Sequence, residues 1–120
     1  MRTQEVHVYV RRADRYLLVH RSPDNGGFWH VVSGGVEEGE SFAGAAAREL
    51  DEETGLRVAA VPLDRSFVYD GIHVELFLAE APAEWEPELN WEHDDYRWST
   101  AAEAVALLHW PEPKEIVGSL

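Results

Sequence analysis

Val6, Val8 and Val10 alternate with His7 and Tyr9, the two-residue period of a β-strand. A second β-rich run covers residues 16–20, and the polar residues 12–15 between the two predict a hairpin. Residues 22–27, SPDNGG, have loop chemistry. The aromatic and β-branched run at 28–32 then predicts a third strand, broken by Ser33, Gly34 and Gly35. Residues 57–69 and 72–81 are rich in Val, Leu and Phe and flank Asp70-Gly71, which predicts two long strands joined by a tight turn. A Pro- and Glu-rich loop at 82–90 precedes a further short strand at 96–98.

Residues 41–54 contain no Pro and no internal β-branched residue, are rich in Ala, and meet Gly55 where a left-handed cap would stop a helix. Phe42, Ala43, Ala46, Ala47 and Leu50 recur at helical spacing and predict its core-facing side. Thr100 with Glu103 forms a capping box ahead of a second helix at 104–108. Pro111 and Pro113 interrupt that helix, and residues 114–120 can add one or two further turns.

A chain of 120 residues suits one domain, 1–120, with a modest core. Ten basic against 23 acidic residues leave a net charge of −13, which disfavours a nucleic-acid polymer as partner. A small phosphate-bearing molecule stays compatible, because bound divalent cations reverse the local potential where carboxylates cluster. The absence of Cys excludes thiolate nucleophiles and thiolate metal sites. Residues 1–7 lack an apolar signal-peptide core and no apolar run is long enough to span a bilayer. The expectation is a cytoplasmic protein with no membrane association.

Residues 34–56 read GGVEEGESFAGAAARELDEETGL. Within the helix, Glu49, Glu52 and Glu53 stand at i, i+3 and i+4, so three carboxylates share one face. Like charges so placed cost a few tenths of a kcal/mol per pair, roughly, and a hard cation would remove that cost. Two adjacent glutamates alone would read as a solvated helix face. A loop with Gly34, Gly35 and Gly39 feeding into this acidic helix reads instead as a site.

The same segment resembles the Nudix family: Gly34, Glu40, Arg48, Glu49, Leu50, Glu52, Glu53, Gly55 and Leu56 fill every position of its sequence box. The resemblance implies an α/β fold with a mixed β-sheet sandwiched between α-helices. It also implies a hydrolase acting on phosphorus anhydrides, in which Glu49, Glu52 and Glu53 bind Mg²⁺, with Mn²⁺ an alternative. Arg48 would hold a box carboxylate in position and Glu40 would support the site from the loop. Glu53 is the favoured base, with Glu52 next. Mg²⁺ suits this donor set, since it takes a few carboxylates together with water and phosphate oxygens.

Outside the box, Glu92 is favoured over Glu75 as a further metal or base residue. His93 reads as a loop histidine, or one that supports the site from behind, rather than a ligand. Phe28, Trp29 and Trp98 are candidates for stacking a base or for the core, with Trp29 carried as a substrate-binding residue beside Gly34, Gly35 and Glu40. Arg21 could reach a phosphate or make a surface salt bridge. The stretch GFWHVVSGGVEEGES is similar to the bacterial dihydroneopterin triphosphate and deoxynucleoside triphosphate pyrophosphatases of the family. The implied substrate is a nucleoside triphosphate or a related nucleoside diphosphate-linked compound, handled by a monomer or homodimer. Alternatives are a diadenosine polyphosphate or RNA 5′-end pyrophosphohydrolase, or a catalytically silent nucleotide-binding module.

Overall fold

The computed structural model describes residues 2–120. Strands β1 (Gln4–Arg12) and β2 (Arg15–Arg21) are followed by a 3-10 turn, then β3 (Trp29–His30), β4 (Val32–Gly35) and helix α1 (Phe42–Thr54). Strands β5 (Val61–Tyr69), β6 (Ile72–Glu80) and β7 (His93–Ser99) come next, and helices α2 (Ala101–Leu107) and α3 (Pro111–Ser119) end the chain. All the strands join one mixed sheet in the order β3-β2-β1-β6-β5, with β4 paired to β1 and β7 paired to β2.

β1 organises this sheet. It pairs with β6 in parallel from Gln4↔His73 to Arg11↔Glu80, while its other edge is divided between two partners. Arg11 and Arg12 pair with β2, whereas Glu5 to Val8 pair with β4. Residues 29–35 therefore cross at Val31 from β2, where Val19 faces His30, to β1, where Val8 faces Val32. The expected third strand is thus two short ones, and Gly34 and Gly35 continue the pairing instead of breaking it. Long-range partners supply the hydrogen bonds that offset the weak strand propensity of glycine.

Helices cover both faces, as the α/β reading expects. On one, Val6, Val8 and Val10 of β1 pack with Leu17, Val19 and Val32 against Ala45, Ala46 and Leu50 of α1. On the other, Tyr9, Leu18, Val31, Val74 and Leu76 pack against Ala104, Leu108, Ile116 and Val117. The alternation in β1 therefore separates two buried surfaces, not a core face from a wet one. Among the described residues no helix is long and apolar enough to cross a membrane.

Helix α1 begins at Ser41, whose Oγ accepts from the Gly44 N–H at 3.0 Å, and ends at Gly55 with φ 79°. The helix is rotated from its expected setting. Ala43 and Ala47 are exposed, and Ala45, Ala46, Glu49, Leu50 and Glu53 are buried. Its inner face is thus apolar for two turns and carboxylate-bearing at its C-terminal end. The Asp70-Gly71 turn has positive φ at both residues, 47° and 76°, the geometry a right-twisted hairpin favours. Thr100 and Glu103 make the predicted capping box. α3 starts at Pro111 rather than after Pro113, because a first helical turn demands no N–H donor of either proline.

Replacing Gly55 by Ala should cost about 1–2 kcal/mol, since an L side chain is strained at a left-handed cap. Urea unfolding should show a lower midpoint with an unchanged slope; an unaltered midpoint would contradict this account of the α1 terminus.

Candidate active site

Arg48 lies on the flank of α1 and ties together the loop, the helix and β4. Its Nε and Nη2 donate to the two Glu40 carboxylate oxygens at 2.8 and 3.0 Å, and Nη2 also donates to the Gly35 carbonyl at 2.9 Å. Its Nη1 donates to Glu49 at 2.8 Å and to Glu52 at 3.3 Å. Glu40 also accepts from the Glu37 N–H at 3.0 Å, and its carboxyl is held below the usual range chiefly by Arg48. Bidentate pairing of this kind fixes direction as well as charge.

One turn along the inner face, Glu49 and Glu53 meet the sheet. Gly34 sits directly against Glu49: a methyl group on its Cα would lie 2.1 Å from the Glu49 Cδ. Glu53 is fully buried, with Oε1 3.4 Å from the Ser33 N–H and Oε2 lacking any hydrogen-bond partner. Burial first, then the adjacent Glu49, and then the charge of Glu92 push its carboxyl well above the ordinary range. His93 brings Nε2 to 3.8 Å from Glu53 Oε1. Burial lowers the His93 pKa to about 4, so it approaches the carboxylate as a neutral ring.

Beside these carboxylates lies a cavity of about 710 Å³ whose wall includes Glu49, Gly34, Ser33, Glu92 and Arg21. Glu92 is fixed from both sides of its peptide: its N–H donates to the Asn90 side chain at 3.1 Å and its carbonyl accepts from the Ser22 N–H at 2.9 Å. Arg21 turns its Nε to the Asn25 carbonyl at 2.6 Å and lies over Phe28, 5.8 Å from the ring centre. No carboxylate comes within 4.0 Å of it among the described residues, so the surface salt bridge is not formed.

The sequence-derived residues therefore divide. Glu49, Glu53, Glu92, Gly34 and Arg21 gather at or immediately behind the cavity wall. Arg48, Glu40 and Gly35 form the brace behind it. Glu52 is half exposed and shares the Arg48 Nη1 with Glu49, while no hydrogen bond joins it to Glu53. Among the described residues no group of three or more His, Asp or Glu side chains is gathered closely enough to cage a cation. Glu75 faces a separate hollow of about 470 Å³ with Phe42 and Arg65, away from Glu49.

Trp29 does not reach the cavity. Its indole packs edge-on to His20, ring centres 5.0 Å apart, because neighbouring residues of an extended chain point to opposite sides. Phe28 and His30 take the place expected of it. Trp98 lies under Arg12 at 4.1 Å and donates to Glu86, also away from the cavity. Sequence reasoning missed Glu5, His7, His30, Phe67 and Tyr69 in the wall. The signal available was the polar parity of Glu5 and His7 within the valine alternation of β1.

The family model described as NUDIX domain matches residues 1–120. An octanoyltransferase from Myxococcus xanthus is 39% identical over 127 residues, covering 98% of this chain but 36% of the relative, so the chain spans about a third of that protein. The dihydroneopterin triphosphate diphosphatase of Escherichia coli (strain K12) is 31% identical over 120 residues, covering 85% of this chain and 79% of the relative. The solved structure of the E. coli dihydroneopterin triphosphate pyrophosphohydrolase superposes with a TM-score of 0.88 at 25% identity, over 99% of this chain and 94% of the other.

The contact between Gly34 and Glu49 is testable by a double-mutant cycle. Gly34→Ala alone should destabilise by about 1–3 kcal/mol through overpacking, and by clearly less in a Glu49→Ala background, where the space is vacated. Additive losses in chemical unfolding would contradict the close approach.

Proposed function

The chain belongs to the Nudix family, and from that membership we propose that it hydrolyses a pyrophosphate bond in a nucleoside triphosphate or a related nucleoside diphosphate-linked compound. The observation that carries this reading is the pair Glu49 and Glu53, pressed together beside a ligand-sized cavity with one buried carboxylate oxygen unpaired. Arg48 serves Glu49 alone of the two; burying Glu53 without a cationic partner is costly, and the oxygen-only chemistry of the pair fits a hard divalent cation. Glu49 and Glu53 would hold Mg²⁺ or Mn²⁺ together with water and phosphate oxygens, and Glu92 and Glu52, which are not gathered with them into a cage, would have to swing in to add carboxylates. When bound, the cation would neutralise phosphate charge and make a water easier to deprotonate.

The remaining roles fall to this chain's own groups. Glu53 is the base that takes the proton of the attacking water, and Glu52 is the second choice for that role. Arg48 is a positioning residue: its bonds to Glu40 and Gly35 hold the guanidinium that orients Glu49. Arg21, without a carboxylate partner, is available to the substrate phosphates. Gly34 lets the backbone and Glu49 approach one another, a contact that a side chain would prevent. Similarity to a dihydroneopterin triphosphate diphosphatase supports a triphosphate substrate, cut to pyrophosphate and a monophosphate. The charge of −13 supports a small molecule over an RNA 5′ end.

Pyrophosphate release from nucleoside triphosphates should vanish in excess chelator and return with Mg²⁺ or Mn²⁺; full turnover in chelator would sink the metal-dependent reading. Glu53→Gln keeps the size of the side chain but removes its charge and basicity. Turnover should fall by about 10²–10⁴, roughly 3–5 kcal/mol of transition-state stabilisation. Because a crowded buried carboxylate is removed, the melting temperature without metal should stay level or rise. Near-normal kcat at saturating Mg²⁺ would take the base role away from Glu53.

A further inference from the structure

Away from its carboxylates, the cavity is walled by aromatic and imidazole rings. His7 projects from β1, in register with Ser33, and His30 from β3. Their rings meet edge to face with centres 4.9 Å apart. Phe67 flanks His7 at 5.5 Å, and Phe28 flanks His30 at 5.9 Å and stacks on His109. Both histidines are more than nine-tenths buried, both line the cavity, and the Nδ1 of each has no hydrogen-bond partner. Each Nδ1 is closed off from the cavity, whereas neither Nε2 is sealed or hydrogen-bonded among the described residues, so Nε2 is the nitrogen each ring leaves for a group that arrives from outside the chain.

Resting on the reaction proposed above, we propose that His7 and His30 are specificity-determining residues that read the hydrogen-bonding edge of a planar nitrogen heterocycle. Burial keeps both rings neutral, lowering the His7 pKa to about 4 and that of His30 well below its ordinary value. A neutral imidazole carries one N–H donor and one acceptor nitrogen, so the pair matches an edge that mixes donors and acceptors. The flanking Phe28 and Phe67 present rings to the faces of a flat ligand. An isoprenoid or acyl group would leave the imidazole nitrogens unpaired, and a bare sugar would leave the phenyl rings unused. A heterocycle satisfies both.

The test is a binding measurement, which does not require turnover. Adenosine, guanosine and cytidine 5′-monophosphates would be titrated calorimetrically with Mg²⁺ present, against ribose 5-phosphate, which keeps the phosphate and lacks the heterocycle. The unaltered protein should bind its preferred monophosphate at least about tenfold more tightly than ribose 5-phosphate, a ratio one or two hydrogen bonds can supply. In His7→Phe/His30→Phe that advantage should disappear while ribose 5-phosphate binding stays the same. His30→Gln, which keeps a donor and an acceptor, should retain selectivity with an altered order among the three bases. Should the phenylalanine variant fail to fold, nitrogen-15 spectra of the unaltered protein decide: the ring nitrogens of His7 and His30 should shift with the monophosphate and not with ribose 5-phosphate. Equal affinity for the monophosphates and ribose 5-phosphate, or full selectivity in the folded double variant, would overturn the inference. A protein that binds the monophosphates selectively yet hydrolyses no triphosphate would support this inference and contradict the reaction.

Discussion

The guanidinium of Arg48 is the interaction on which the site depends. It bonds to Glu40, Glu49, Glu52 and the Gly35 carbonyl, so one cation joins the loop after β4 to the last turns of α1. Three of those partners are carboxylates that would otherwise repel one another. A lysine could not replace it, because one ammonium group lacks the planar fork that engages Glu40 with two nitrogens while also reaching Glu49 and the backbone. The attraction of Arg48 and the crowding of Glu53 are complementary: the first fixes Glu49 in place, and the second leaves an inner carboxylate without a counter-charge.

The sheet explains where that crowding occurs. Because residues 29–35 pass from β2 to β1 at Val31, Ser33 and Gly34 come to lie under α1, and the inner face of the helix descends on them. The apolar residues Ala45, Ala46 and Leu50 anchor the helix on β1 and β4, and their burial carries Glu49 and Glu53 into the interior with them. Hydrophobic packing at one end of the helix thus bears the cost of burying carboxylates at the other. The same crossing brings His30 beside His7, so the carboxylates and the aromatic wall belong to one cavity.

Much of this was legible in the sequence where the determinants are local. Ser41 and Gly55 bound α1, Asp70-Gly71 makes a hairpin, and Thr100 with Glu103 caps α2, all as their chemistry dictates. The box residues marked the place of the site because their spacing is helical. What depended on distant partners was not legible. Nothing near Gly34 and Gly35 shows that β1 will recruit them as a strand. Nor does the alternation of Phe28, Trp29 and His30 say which parity meets a cavity and which meets the core. Ala43 and Ala47 are as apolar as Ala45, so only the docked sheet decides which side of α1 is covered.

The central claim is that Glu49 and Glu53 form the core of a divalent-cation site. Titrating Mn²⁺ into the protein without substrate, followed by electron paramagnetic resonance, tests it most directly. The account predicts a tight site in the unaltered protein that is lost or greatly weakened in Glu53→Gln and in Glu49→Gln, and unchanged in Glu75→Gln. Identical Mn²⁺ binding by the unaltered protein and the two α1 variants would contradict it.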